Sequence, residues 1–472
     1  MSDFKNILVL MSDDHAQWAM GAYGNQELHT PNMDYLAQTG VQMMNAFTPT
    51  PVCSPSRACF FTGRLASQHG IHDYLSSTDP AIHHYPWLKD ETTLAQLLSD
   101  ADYQTGLCGK WHLGADEALI VGFDYWFGLS GDYPMAHNST YRFSENGVLQ
   151  SLPGYKTPII TDRAVRFMQD RDEERPFFLF VGYTSTHSPW EKHPERLAAH
   201  YRNCTFDDIP NDAMYPFGQQ NTESAKQDRM NEHEMRAQYY TAVTQIDEGV
   251  GRLLDELESQ GLREDTLIVY TSDHGLNCGH HGIWGKGNGT LPLNMLEESI
   301  RIPLIFNKPV QLFNGQRRQE FVDHTDLFQT LVEYAEVSLP DSDCKKYPGR
   351  SFLPLLDNST QISDWRDVQF GEYGDLRMIR TQQYKLLWRH ATNDFELFDL
   401  HNDPRETTNL ANDPKYGTIV TRLSTQITAF FEDFEDPKKS GLQVRELPRH
   451  NDTEAWRAKI QALHHDRSNH GS

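Results

Sequence analysis

Three strand-length apolar runs, far apart in the chain, each stop at a cluster of polar residues. Ile7 to Met11 ends at Ser12-Asp13-Asp14, Phe177 to Tyr183 at Thr184-Ser185-Thr186-His187, and Leu267 to Tyr270 at Thr271-Ser272-Asp273-His274. Runs this uniformly hydrophobic need cover on both faces, which the parallel strands of an α/β sheet receive from flanking helices. Open α/β sheets also present their chemistry at strand carboxyl ends. The pattern therefore predicts an α/β fold with a mixed central sheet, in which carboxylates and imidazoles from distant segments share one structural context.

The rest of the chain fits that frame. Over Glu234 to Gln260, Tyr239, Val243, Ile246, Val250, Leu253, Leu254 and Leu257 recur near a 3.6-residue period, which predicts a helix that Gly261 can close. Residues 205 to 230 are polar and irregular and read as a surface excursion. A chain of 472 residues exceeds one ordinary core, and its character changes after about 355. There Asp367 to Tyr373, Leu376 to Thr381, Tyr384 to Arg389 and Glu396 to Leu400 read as short antiparallel strands, and Tyr416 to Phe434 as a closing helix. The expected organisation is a catalytic domain over residues 1–360 and a smaller subdomain over 361–472, with a short antiparallel sheet, a helix and a polar tail. From Asp436 that tail is expected to wrap over the surface and to contact another subunit of a homo-oligomer.

Adjacent carboxylates such as Asp13 and Asp14 repel unless a cation neutralises them. With Asp273 and His274 they supply three hard oxygens and one imidazole, enough for a divalent-cation site. Taken alone, each pair could equally be a solvated loop or a helix cap. Between the first two runs lies Cys53-Ser54-Pro55-Ser56-Arg57, followed by Thr62-Gly63-Arg64. An isolated cysteine before a proline turn is ordinarily a small buried side chain.

Taken in order, the motifs say more. Asp13-Asp14, the segment from Cys53 to Arg64, Gly109-Lys110-Trp111-His112-Leu113-Gly114, Thr186-His187-Ser188-Pro189, Thr271-Ser272-Asp273-His274-Gly275 and His281-Gly282-Ile283-Trp284-Gly285-Lys286 follow one another along the chain. Glu297 to Leu304, Glu396 to Leu400 and Asn409-Leu410-Ala411 come after them. Over essentially its whole length the chain resembles the type I, formylglycine-dependent sulfatases of the alkaline phosphatase superfamily. The resemblance implies an alkaline-phosphatase-like fold and the oxidation of Cys53 to formylglycine by a formylglycine-generating enzyme. An aldehyde hydrate carries two hydroxyls on one carbon, one to attack a sulfate ester and one through which the bound sulfate is expelled.

The resemblance also implies roles. Asp13, Asp14, Asp273 and His274 would hold the cation beside modified Cys53. Many sulfatases have Asn where His274 stands. Oxygen-rich ligation favours Ca²⁺, and the imidazole keeps Mg²⁺ and Mn²⁺ open. Arg57 would position the hydroxyls, and Lys110 and Lys286 would bind sulfate oxygens. Asp273 would help deprotonate the attacking hydroxyl, His187 with Lys286 would protonate the leaving alcohol, and His112 would take the proton of the second hydroxyl. His72, Asp73, Tyr133, His137, Trp190 and Arg377 are candidates for binding the substrate, an aromatic beside polar groups being suited to a sugar ring. His69 and Tyr74, which also follow the Cys53 segment closely, are further candidates to line the pocket.

These features predict hydrolysis of a sulfate ester on a mono- or oligosaccharide. The alternatives are a phosphonate or phosphodiester hydrolase, a choline sulfatase, and a binding protein with Cys53 unmodified. A formal charge of −24 argues against nucleic acid and anionic membranes as partners, and no run reaches the roughly 18 apolar residues of a membrane span. Met1 leads directly into a run too short for a secretory segment, and the six cysteines show neither metal-knuckle spacing nor disulfide density. The expected location is the cytoplasm, or the periplasm if a leader has been removed.

Overall fold

The computed structural model describes residues 5–131, 137–221, 231–309, 315–340, 346–356 and 364–457. Its centre is a ten-stranded mixed sheet made of β1 (Asn6–Ser12), β2 (Val41–Phe47), β3 (Gln104–Gly109), β4 (Tyr125–Leu129), β5 (Asn138–Glu145), β6 (Val148–Tyr155), β7 (Phe177–Gly182), β8 (Thr266–Ser272), β9 (Leu304–Asn307) and β10 (Gln316–Asp323). The strand order is β10-β2-β9-β8-β1-β7-β3-β4-β5-β6. The three apolar runs are the adjacent strands β8, β1 and β7, all parallel, with Ile7 opposite both Phe178 and Leu267. Every residue of the three is buried.

Period-two geometry divides each run between two layers of core. Ile7, Val9, Met11, Phe178, Phe180, Leu267 and Val269 face one layer. Leu8, Leu10, Phe177, Leu179, Val181, Ile268 and Tyr270 face the other. Because the strands are parallel and in register, their carboxyl ends coincide, and Ser12 pairs with Ser272 just before Asp13 and Asp273.

Five helices matter most for function: α1 (Cys53–Thr62), α2 (Lys156–Gln169), α3 (Glu232–Ser259), α4 (His324–Tyr334) and α5 (Gly417–Phe434). Helix α3 begins two residues before its expected start because the Asn231 side chain accepts the Glu234 N–H. Gly261 follows it at φ 67°. Of the excursion at 205 to 230, residues 222–230 lie outside the described set. The described part includes Gln219–Gln220, which pairs with Thr290–Leu291.

The C-terminal strands are Val368–Tyr373, Leu376–Thr381, Tyr384–Arg389 and Asp394–Asp399, an antiparallel meander close to the expected bounds. Helix α5 lays Leu423, Ile427 and Phe431 on it. Beyond α5 the chain packs on its own catalytic loops: the Asp436 N–H donates to the Ser67 carbonyl, and the Ser76 N–H to the His450 carbonyl. No helix among the described residues is long and apolar enough to cross a membrane.

Candidate active site

Cys53 is the first residue of α1, at the helix end where backbone N–H groups favour negative charge. At the other end of α1 the chain turns at Gly63, whose φ of 65° suits glycine and whose added Cβ would collide with the Phe328 ring. Arg64 turns away from the site and pairs with Glu91 at 3.0 Å, both buried. The Thr62-Gly63-Arg64 motif thus sets the end of the helix rather than its chemistry.

Around the Cys53 sulfur four potential ligand atoms, one each from Asp13, Asp14, Cys53 and His274, lie within 4.8 Å of one another. All four residues are buried. Sγ is 3.4 Å from Asp13 Oδ1, 3.4 Å from His274 Nε2 and 3.1 Å from Lys286 Nζ. Asp14 reaches inward through a positive φ of 59° and accepts from Lys286 at 2.7 Å. His274 Nδ1 is 2.9 Å from the Gly275 carbonyl, which can only accept. That bond keeps the proton on Nδ1 and turns Nε2 to the cluster, the arrangement a metal-ligating imidazole needs.

Asp273 stands at the edge of this set. Its Oδ1 is 3.4 Å from His274 Nε2 and accepts the Asp14 and His274 N–H groups at 3.2 and 3.0 Å, while Oδ2 takes Arg57 Nε at 2.9 Å.

Close packing distorts the acidities of Asp13, Asp273, His274 and Cys53. Burial, with Asp13 and Cys53 adding, pushes Asp273 up to about 7 against His274 and Arg57. Burial and Cys53 work against the Asp13 charge, yet Lys110, His187 and Arg57 hold that carboxyl well below its usual range; Lys110 Nζ is 2.6 Å from Asp13 Oδ2. Burial disfavours the His274 cation, but Asp273, ahead of Asp14 and Cys53, raises the ring to about 9. Burial alone would raise the Cys53 thiol; Lys110, Lys286 and His274 bring it well below the ordinary value. Cationic side chains thus crowd a pocket inside a strongly acidic protein, which reconciles an anionic substrate with the net charge.

Arg57 is fully buried and bonded on two sides, Nε to Asp273 and Nη1 to the Lys110 carbonyl at 2.9 Å. Its Nη2 has no partner among the described residues. Removing one member of a buried pair leaves an uncompensated charge and costs about 3–5 kcal/mol. Arg57→Met should therefore lower Tm clearly in a thermal melt; a wild-type Tm would show that the Asp273 charge is balanced elsewhere.

His112, at a φ of 61°, is half-buried and gives its Nε2–H to the Leu75 carbonyl at 3.0 Å. Its Nδ1 has no partner among the described residues, and burial followed by Lys110 brings the ring down to about 4. His187 gives Nδ1–H to the Ser188 carbonyl at 2.6 Å. Lys286 follows a short hairpin, Asn277–Cys278 with Trp284–Gly285. The tip of that hairpin is tied by His281 to Glu298 at 2.6 Å, and Glu298 in turn to Arg405 at 2.5 Å.

The substrate candidates scatter. His72 is buried, with Nε2 at 2.7 Å from the Lys439 carbonyl, and Asp73 accepts from Tyr373 Oη at 2.7 Å. Burial raises Asp73 to about 6. Trp190 is core, its Nε1–H on the Thr186 carbonyl at 3.0 Å. Arg377 pairs with Glu435 and lies over the Phe431 ring at 4.0 Å. His137 comes nearest to the chemistry, with Nε2 2.8 Å from the His187 carbonyl and its ring stacked on His193. Tyr133 lies outside the described residues. Tyr74 is partly exposed, its hydroxyl 2.6 Å from Thr453 Oγ1. Sequence alone also missed Ser54 and Ser56, whose hydroxyls lock α1 to the Leu75 N–H and to the Asp273 carbonyl.

The family model described as Sulfatase matches residues 5–337, about 70% of the chain. The chain belongs to the sulfatase family. The C-terminal model of N-sulphoglucosamine sulphohydrolase matches residues 279–433 of this sulfatase. An N-acetylglucosamine-6-O-sulfatase of Bacteroides thetaiotaomicron is 30% identical, over 91% of this chain and 87% of that protein. The human N-sulphoglucosamine sulphohydrolase is 26% identical, over 92% and 91%. A solved structure, described as a complex with its substrate D-glucosamine-2-N,6-O-disulfate, superposes with a TM-score of 0.79 at 27% identity, covering 91% of this chain and 98% of the other. A phosphonate monoester hydrolase of Agrobacterium radiobacter shares the fold, at a TM-score of 0.74 and 21% identity. The protein is a sulfuric ester hydrolase of the alkaline phosphatase superfamily, built on a large mixed sheet with a small antiparallel sheet toward the C-terminus.

Proposed function

We propose that this sulfatase hydrolyses a sulfate ester on a mono- or oligosaccharide, using formylglycine at position 53 and one divalent cation. The observation that carries the reading is the buried cage around Cys53: two or three carboxylates, an imidazole with its Nε2 presented, and cations from Arg57, Lys110 and Lys286. The sugar part of the reading draws its support from the N-acetylglucosamine-6-O-sulfatase similar to this chain along nearly its whole length.

The donor set fits both groups. Asp13, Asp14 and His274 offer two oxygens and a nitrogen to a cation, with Asp273 beside them, and Ca²⁺, Mg²⁺ or Mn²⁺ suit that mixture. A bound cation would balance the carboxylates and draw a sulfate oxygen toward residue 53. The unpartnered Arg57 Nη2 and the Lys286 ammonium are donors that hydroxyl oxygens satisfy far better than a thiol sulfur. Formylglycine would supply, as its hydrate, one hydroxyl for attack on sulfur and another through which sulfate is released.

The chain's own residues then divide the remaining work. Lys110 and Lys286 offset the charge of the sulfate oxygens in a pocket that excludes water. His187 has its Nδ1 proton fixed on the Ser188 carbonyl, so Nε2 is the atom that can carry a proton to the leaving alcohol oxygen, with Lys286 assisting. His112, donating Nε2–H to Leu75, keeps the lone pair on Nδ1 to accept a proton from residue 53 as sulfate departs. Asp273 is the nearby carboxylate for the attacking hydroxyl.

Purified protein screened against defined sulfated mono- and disaccharides should release inorganic sulfate from at least one sugar; turnover of phosphonate or choline esters alone would replace the reading. Asp273→Asn should lower metal affinity roughly 10- to 100-fold, the usual cost of disturbing a ligand or its support, and turnover with it. Metal analysis and sulfate release are the readouts, and both unchanged would remove Asp273 from the site.

A further inference from the structure

After α5 the chain returns to the loop that follows the Cys53 helix. The Gly441 N–H donates to Ser67 Oγ at 2.9 Å, and the Lys439 carbonyl lies 2.7 Å from His72 Nε2. The contacts tighten around Leu75. Asn451 Nδ2 donates to the Tyr74 carbonyl at 2.9 Å, and the Ser76 N–H donates to the His450 carbonyl at 2.8 Å. Leu75, bracketed by these two bonds, turns its own backbone to the site. Its N–H donates to Ser54 Oγ at 2.9 Å, at the start of the Cys53 helix, and its carbonyl accepts His112 Nε2–H at 3.0 Å.

His450 makes a third bond whose direction follows from chemistry. Its Nδ1 is 2.7 Å from Glu454 Oε1, and a carboxylate oxygen only accepts, so Nδ1 bears the proton. Nε2 sits between the His72 N–H at 3.0 Å and the Gly70 carbonyl at 3.2 Å. The other oxygen of Glu454 is taken by Arg457, and the His450 ring lies flat against Trp87, centroids 5.0 Å apart. A buried imidazole bonded at both ring nitrogens and stacked on one face is an expensive way to cap a polar tail unless the loop it holds must be placed accurately.

We propose that His450 and Asn451 are positioning residues for the sulfatase reaction. Through the backbone of residues 72–76 they hold Leu75, and Leu75 in turn places the Cys53 helix and the His112 ring. This rests on the function proposed above. Neither residue touches the cluster, so their loss should act on kcat rather than on substrate binding. Misplacing reacting groups by about 1 Å costs up to about 10²-fold.

The test is made on the full chain with converted residue 53, with sulfate release and hydrogen exchange read in parallel. His450→Ala should lower kcat roughly 10- to 100-fold with KM little changed, and amides of the 70–76 segment should exchange faster without any substrate present. His450→Gln, whose Oε1 can accept the His72 N–H, should recover most of the loss. If His450→Ala does not fold, Asn451→Ala takes its place, with the same fall in kcat and rise in exchange. A folded alanine variant with wild-type kcat, unchanged exchange over 70–76, or a Gln variant no better than Ala would each overturn the proposal. Wild-type protein that releases no sulfate from any sugar fails the function reading instead, whereas wild-type turnover that survives His450→Ala fails this one alone.

Discussion

Cys53→Ala is expected to leave a folded protein that releases sulfate roughly 10⁴- to 10⁶-fold more slowly than wild type, the scale on which hydrolases lose rate when a covalent nucleophile is removed. The fold should survive because the side chain does little packing. It opens a helix, and its sulfur faces Asp13, His274 and Lys286 rather than an apolar layer. Circular dichroism and Tm check the first half of the expectation, and sulfate release the second. Substantial turnover in the folded variant would mean that the cage acts without residue 53.

Lys286→Ala should have the next largest effect, a fall in kcat of roughly 10²- to 10³-fold, as when one preorganised donor to a developing charge is lost. Lys286 lies 2.7 Å from Asp14 and 3.1 Å from the Cys53 sulfur, beside the residue that carries the nucleophile in the proposed mechanism. Although burial opposes its charge, Asp14 and Cys53 keep the ammonium protonated well above the ordinary lysine range. It therefore supplies a permanent cation at any working pH. Lys286→Arg should not restore the rate, because a planar guanidinium cannot occupy the same compact position. Kinetics of the two variants decide the matter, and Arg equal to Lys would reduce the role to charge alone.

The strand framework was legible because its signal is local and chemical. Strand-length apolar runs that stop at polar clusters put Asp13, Thr184 and Asp273 at strand carboxyl ends of an α/β sheet; that the three strands are adjacent, parallel and in register is what the structure adds. The C-terminal meander was legible for a similar reason, its strands being separated by tight turns. What composition could not convey was direction. His72, Asp73, Trp190 and Arg377 are residues that bind sugars elsewhere, and here they are spent on Lys439, Tyr373, Thr186 and Glu435. The tail was expected to wrap over the surface. Its described part lies on the loop after α1, through His450 and Asn451, residues 378 and 377 positions from the partners they hold. A polar stretch without periodicity carries no sign of such a contact, because a side chain that bonds a backbone group leaves its partner unspecified by residue type.

The account rests on residue 53 being formylglycine, and mass spectrometry of the peptide containing it, read against turnover of the same preparations, tests that most directly. Batches made with increasing amounts of formylglycine-generating enzyme should show sulfate release rising in proportion to the converted fraction and extrapolating to none at zero conversion. Full turnover by protein whose residue 53 is entirely cysteine would contradict it.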